Sequence, residues 1–296
     1  MRKLERIQNS IIHLFFIAFS LMFLVPLWLV VSVSISNEDA VQRLGYQLLP
    51  SKLDFSSYNI ILKNPQQLID AYTVTFLQSI AATLLGVFIM AACSYALSRK
   101  YFALRRVFVL FIFFTMLFGG GLIPSYILNT QYLHLGNSVW IYILPFLASA
   151  FYIIIMRTFF LGLPDAVVES AKIDGAGEFR VFIQIILPLS KPVLATIGLF
   201  MLLDRWNDWF TAMIYIRDQK LYTLQYLLQK ILMEIEFLKS TMTMHVPGDM
   251  HANLLQMPSE TLRFAMAVIA AGPLLLVFPF FQKYFSKGLT LGAVKG

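Results

Sequence analysis

Six runs of about twenty apolar residues constrain this chain more than any motif it carries. They lie at about 11–33, 72–98, 107–128, 139–157, 193–216 and 263–282. A bilayer core about 30 Å thick is crossed by roughly 20 residues of helix rising about 1.5 Å each. Lipid offers the backbone no hydrogen-bond partner, so runs of this length resolve as helices. Prolines 26, 124, 145, 273 and 279 fall inside or at the ends of these spans. Helix packing and neighbouring side chains can accommodate them there. Composition agrees: 58% of residues are hydrophobic and 13% charged, against about 25% charged in soluble domains. The first run is too long for a signal-peptide core and lacks a small-residue cleavage site, so it reads as a retained span. The expectation is an all-α membrane protein with six transmembrane helices, forming one domain over 1–296.

The net charge of +7 points to orientation rather than to nucleic acid, because the basic residues are divided among short loops. One side collects Arg2, Lys3, Arg6, Arg99, Lys100, Arg105, Arg106, Arg157, Lys172, Arg180, Lys191, Lys283, Lys287 and Lys295. The other has Arg43, Lys52, Lys63, Arg217, Lys220, Lys230 and Lys239, while Arg205 and Arg263 lie within or at the edge of spans. The turn 99–106 resists translocation most strongly, so both termini are expected in the cytoplasm. Residues 34–71 and 217–262 are then the long outer segments. The first reads as loop and short helix. The second opens with Leu221, Leu224, Leu228, Ile231, Ile235 and Leu238, an amphipathic helical spacing that could lie over the outer mouth, and continues into the Met-rich stretch Thr241–Pro258.

Between the fourth and fifth spans runs a polar cytoplasmic loop, 163–192. Pro164 suits a first helical position, and Asp165 and Glu169 favour the helix dipole. Asp174-Gly175 is a turn signal. Phe179, Phe182, Ile183 and Ile186 then form one apolar stripe on a second helix, before Pro188 and Pro192 re-aim the chain. Such a hairpin either rests at the membrane interface or fits a soluble partner and carries that partner's movement into the spans.

Catalysis has no visible seat. No G-x-x-x-x-G-K-[ST] phosphate loop, H-E-x-x-H or G-x-S-x-G occurs. His13, His134, His245 and His251 are scattered, and Cys93 is the only cysteine, so no catalytic or metal residue is assigned and no intrachain disulfide can form. Any energy source must sit on another polypeptide.

Glu169-Ser170-Ala171-Lys172-Ile173-Asp174-Gly175-Ala176, with Ile185-x-Leu187-Pro188 ten residues beyond the glycine, resembles the coupling loop of ABC importer permeases. Ser170 stands where alanine is usual, a small-for-small change. Further segments are similar to the maltose-type carbohydrate permeases, most of all their polysaccharide-permease branch. These are Phe118 to Pro124, Ile155 to Phe160, Trp206-Asn207-Asp208-Trp209, and the tail from Gln282 to Gly296. The resemblance implies a type I importer permease fold with a core at about 72–282. It implies a binding-protein-dependent importer of carbohydrates, with oligosaccharides as the cargo. Its partners would be a second, different permease subunit, two copies of an ABC ATPase carrying the ATP and Mg, and an extracellular sugar-binding lipoprotein. The setting would be a bacterial plasma membrane. By the same resemblance Glu169, Ser170, Ala171, Asp174, Gly175, Ala176, Leu187 and Pro188 belong to the ATPase-coupling loop. A non-sugar solute, or a membrane enzyme or channel acting alone, are the rival readings.

The fifth span carries Asp204, Arg205, Trp206, Asn207, Asp208 and Trp209. Intramembrane charge costs at least about 2.5 kcal/mol per residue, so it faces a cavity or a partner. On one continuous helix Asp204 and Asp208 would share a face and Arg205 would reach Asp208. Two readings stay open: an internal ion pair that fixes packing, or a sugar-facing wall of Asp204, Trp206, Asn207, Asp208 and Trp209. Gly119-Gly120-Gly121 implies close helix packing, a local bend or a gating hinge.

Overall fold

The computed structural model describes residues 2–245 and 258–293, with side chains over 9–238, 258–276 and at 279. Its elements are helical throughout: α1 Arg2–Ser34, α2 Glu38–Leu44, α3 Ser56–Ile61, α4 Pro65–Ser98, α5 Arg105–Leu117, α6 Leu122–Ile127, α7 Ala150–Leu161, α8 Asp165–Ile173, α9 Glu178–Val181, α10 Leu187–Leu189, α11 Lys191–Trp206, α12 Phe210–Tyr215, α13 Leu224–His245 and α14 Glu260–Ala293. Among the described residues no named strand occurs, only an isolated bridge between Ser36 and Leu53.

Among the described residues, two unbroken helices are long and apolar enough to cross a bilayer, Asn9–Ser34 and Pro65–Ser98. The sixth expected span, 263–282, lies within α14. The other three runs are bent rather than continuous. The third breaks where α5 ends: α5 and the segment Leu122–Tyr132 meet at 111°. Phe118 turns extended, and Gly121 sits at φ +84°, a region that side-chain-bearing residues rarely adopt. A Cβ on Gly119 or Gly121 would meet nothing within 4 Å, so the glycines serve the bend rather than close packing. The fourth run begins as short 3₁₀ turns around Pro145 and bends by 45° into α7. The fifth ends early: α11 stops at Trp206, and α12 starts only at Phe210. Glu178–Leu189 and Lys191–Trp206 meet at 80°, the re-aiming expected from Pro188 and Pro192.

Backbone contacts divide the chain into two units, 1–68 with 228–275 and 69–227 with 276–296. In the first, Glu38 is buried and its carboxylate caps the start of α14. It accepts from the Thr261 N–H (3.0 Å), the Thr261 hydroxyl (2.8 Å) and the Glu260 N–H (3.1 Å). These satisfy donors that a helix start otherwise leaves free. The second unit holds the main core, in which Met90 and Tyr95 of α4 meet Met156 and Phe160 of α7 and Ile197 and Met201 of α11. Lipid is as apolar as these side chains, so their contacts stabilise by packing and not by escape from water. Gly86 allows the tightest approach: a Cβ there would lie 2.5 Å from the Met201 methyl. α13 buries Leu224, Leu227, Leu228 and Ile235, close to the expected stripe, while Leu238 is exposed and Leu221 precedes the helix in a 3₁₀ turn.

Candidate functional site

The loop between α7 and α11 opens with a nine-residue helix, α8, closed by a glycine cap. Pro164 stands just outside α8 as its N-cap, with ψ 122°, so Asp165 and not Pro164 is the first helical residue. At the other end Asp174 is the C-cap and Gly175 has φ +79°. The Gly175 N–H donates to the Lys172 carbonyl (3.0 Å) and the Ala176 N–H to that of Ala171 (2.9 Å). This paired arrangement ends a helix only when the residue after the cap tolerates positive φ. The Asp174-Gly175 turn is therefore a local property of the sequence.

One face of the loop is tied down and the other is bare. Val168 is buried in the main core, and Ala171, Ala176 and Leu187 pack partly against it. Glu169, Ser170, Asp174 and Pro188 are exposed, and the Ser170 hydroxyl donates back to the Ala166 carbonyl (2.9 Å). Ile173 is 87% exposed and Phe179 73% exposed. Phe179 thus leaves the stripe expected for it, while Phe182 and Ile186 are buried as expected. The reason is a register change. α9 passes into a π-helical turn over Phe182–Ile186, which rotates the face that a regular helix would continue.

Around the glycine cap lies a charge cluster that the sequence reading missed. Lys172 Nζ is 2.6 Å from Glu178 Oε1, and the Tyr95 hydroxyl donates to Glu178 Oε2 at 2.7 Å. Lys172 also lies 4.2 Å from the Tyr101 ring centre, and Arg99 4.7 Å from that of Tyr95. Burial alone would raise the Glu178 carboxyl, but hydrogen bonds from Lys172, Tyr101 and Tyr95 bring it down to about 2. Burial and the neighbouring Glu178 push the Tyr101 hydroxyl up to about 12. A cavity of about 340 Å³ opens beside this cluster, lined by Tyr95, Arg99, Tyr101, Phe102, Phe179 and Phe182 among others. The only available signal was a pair of opposite charges, Lys172 and Glu178, flanking the turn.

The fifth-run cluster is split by the helix break, so Asp204 and Asp208 do not share a helical face. Arg205 pairs with Asp208 at 2.9 Å, with side chains only 14% and 8% exposed, and its guanidinium lies 3.5 Å from the Phe146 ring centre. Asp208 Oδ1 accepts the Thr211 N–H (3.0 Å), and Oδ2 accepts the Thr211 hydroxyl (2.6 Å). One carboxylate thus closes the break and caps α12. Trp206 is buried, whereas Asp204, Asn207 and Trp209 are exposed. Asn207 Oδ1 accepts from Gln225 (3.1 Å), and the Tyr152 hydroxyl donates to Asp204 (3.4 Å). Gln78, buried on α4, was also missed; its amide donates to the Arg205 carbonyl at 2.7 Å. Among the described residues no group of three His, Cys, Asp or Glu could hold a metal ion.

An all-helical set of membrane spans, three of them bent, with an exposed polar loop between two of them, fits a transport permease. The chain belongs to the family described as the binding-protein-dependent transport system inner membrane component, whose model matches residues 102–291. It is 33% identical over 292 residues to the polygalacturonan/rhamnogalacturonan transport system permease protein YtcP of Bacillus subtilis, covering 99% of each chain. It is 29% identical over 287 residues to the arabinooligosaccharides transport system permease protein AraQ of the same organism, covering 96% of this chain and 94% of that one. Among solved structures it resembles a chain of a bacterial ABC transporter involved in the import of the acidic polysaccharide alginate. That match has a TM-score of 0.74 and 32% identity, over 95% of this chain and 97% of the other. The maltose-type resemblance read from the sequence is borne out. The chain is an ABC importer permease subunit in the membrane rather than an enzyme, and its family works with an ATPase and a substrate-binding protein.

Proposed function

We propose that this chain is one of two different permease subunits of an ATP-driven importer for oligosaccharides, with uronic-acid-containing chains as the first substrates to test. Likeness supports the substrate class: a polygalacturonan permease and an alginate importer each match nearly the whole chain at about one-third identity. Both termini lie in the cytoplasm in this reading, supported by the basic turn 99–106. The whole chain acts as one permease domain, its core at about 72–282. ATP and Mg act on two partner ATPases, and an extracellular lipoprotein delivers sugar.

One observation carries the coupling role. Ile173 and Phe179 are large, apolar and exposed beside the exposed Glu169, on a loop whose other face is packed into the core. Apolar side chains bared at a polar rim suit a protein partner. Glu169, Ser170, Ala171, Asp174, Gly175, Ala176, Leu187 and Pro188 form the loop through which that partner's movement enters the spans. In the fifth run, Asp204, Asn207 and Trp209 line the sugar path, with carboxylate and amide accepting hydroxyl hydrogen bonds and indole stacking on a ring. Trp206 and Asp208 hold the helix break behind them.

The test is uptake and copurification in the assembled importer. Glu169→Lys and Gly175→Val should abolish uptake and strip the ATPase from the complex while membrane insertion persists. Open space surrounds Gly175, so valine acts there only through backbone strain, about 1–2 kcal/mol at this φ. Normal transport by both variants removes the coupling assignment.

A further inference from the structure

We propose that Glu178 is a positioning residue that clamps the coupling helix to the cytoplasmic end of α4, so that the two move as one piece when the ATPases close. The inference rests on the coupling role just assigned to the loop and adds the path by which movement leaves it. Sequence connectivity alone would pass motion from α8 to α11 through α9, the π turn and α10. That route contains a glycine cap, a π turn and an 80° bend, each a place where displacement can dissipate. The side chains offer a shorter one. Lys172, in the last turn of α8, binds Glu178 Oε1, and Tyr95, three residues before the end of α4, binds Glu178 Oε2. Both carboxylate oxygens are therefore engaged, one from each helix.

The α4 side of this joint is firm. Tyr95 is 6% exposed, lies against the Phe182 ring at 5.4 Å and is covered by the Arg99 guanidinium. Arg157 of α7 donates to the Leu97 carbonyl at 3.1 Å, tying the last turn of α4 to a second helix. A second link joins the loop to the turn just past α4, Lys100 to Asp165 at 2.7 Å, but its side chains are 76% and 59% exposed. An ion pair that open to water is screened and contributes little. The Lys172–Glu178 pair is itself 37% and 45% exposed; Glu178 differs because its other oxygen holds the hydroxyl of Tyr95, a residue buried on the helix that must move. Tyr101 adds a third contact, placing its ring under the Lys172 ammonium at 4.2 Å.

The experiment uses the complete importer, with its partner permease and ATPases, in a Cys93→Ser background. Spin labels at Ala103, just past the end of α4, and at Ala166 on α8, both exposed, report the separation of the α4 end from the coupling helix, without any sugar. With the clamp intact, one narrow distance population should persist in the nucleotide-free and ATP–vanadate states. Glu178→Gln and Tyr95→Phe should each add a second population on nucleotide binding, while ATPase copurification, basal hydrolysis and melting temperature stay at the parent level. Lys100→Ala should leave the population narrow. Glu178→Lys should split it, and Lys172→Glu/Glu178→Lys should narrow it again by restoring the pair with reversed sign. The clamp is refuted if Glu178→Gln keeps the single population in both states, or if the reversed pair stays as split as Glu178→Lys alone. Loss of the ATPase in Glu169→Lys beside an unaffected Glu178→Gln would refute the clamp and leave the coupling loop standing. Retention of a working ATPase in Glu169→Lys and Gly175→Val would instead refute the coupling loop itself.

Discussion

Replacing Asp208 by asparagine should destabilise the protein without changing its apparent affinity for sugar. The carboxylate has three donors, all within 3.0 Å: Arg205 Nη1, the Thr211 hydroxyl and the Thr211 N–H. Asparagine retains an oxygen for the Thr211 N–H but turns an amide donor toward the guanidinium. The charge-assisted bond alone is worth about 1.5–3 kcal/mol, and stranding one partner of a buried pair costs about 3–5 kcal/mol. Arg205 keeps its contact with the Phe146 ring, which offsets part of that loss. The expected loss is about 3 kcal/mol, or roughly 6–12 °C in melting temperature at about 2–4 °C per kcal/mol. The assay is thermal unfolding of the solubilised complex, alongside half-saturation for uptake. Arg205→Gln/Asp208→Asn leaves no stranded charge and should recover most of the loss, giving a coupling of about 2 kcal/mol or more in the double-mutant cycle. A raised half-saturation concentration at unchanged melting temperature would show that Asp208 faces the sugar and that this reasoning is wrong.

The Glu38 cap should make stability acid-sensitive in a defined direction. Burial alone would raise this carboxyl, but hydrogen bonds from Thr261, Glu260 and Gln42 hold it below its ordinary value of 4.5. A depressed folded value means the contribution is complete above about 4.5 and disappears as pH falls through the lower folded value. Glu38→Gln should therefore cost about 1–2 kcal/mol at pH 7, the worth of a helix cap, and flatten the acid limb of a melting-temperature profile; an unchanged acid limb counts against the cap. Orientation is checked by single cysteines in a Cys93→Ser background: Ser51 should react with an impermeant reagent from outside, and Ala103 only once the membrane is opened. Labelling of position 103 from outside would invert the topology.

Apolar run length and helix-stop chemistry are local, and they determined much here without help. Residues 11–33 and 72–98 form single helices because nothing inside them, Pro26 included, overrides a run of that length. Asp174-Gly175 ends α8 because glycine alone enters the left-handed region cheaply, and Arg205 meets Asp208 because the turn that closes α11 spans only three residues, the Asp208 N–H donating to the Arg205 carbonyl at 3.4 Å. The maltose-type family was legible for the same reason, since its motifs are short and contiguous. Tertiary structure decided what depends on distant chain. Whether Gly119–Gly121 would pack or bend turned on what neighboured them, and open space there left only the bend. The π turn after α9 moved Phe179 to the surface, where a regular helical period would have buried it. Tyr95 and Glu178 are 83 residues apart, and Glu38 and Thr261 are 223 apart. No periodicity links residues at such separations; only the packing that delivers two helices to one place makes them partners.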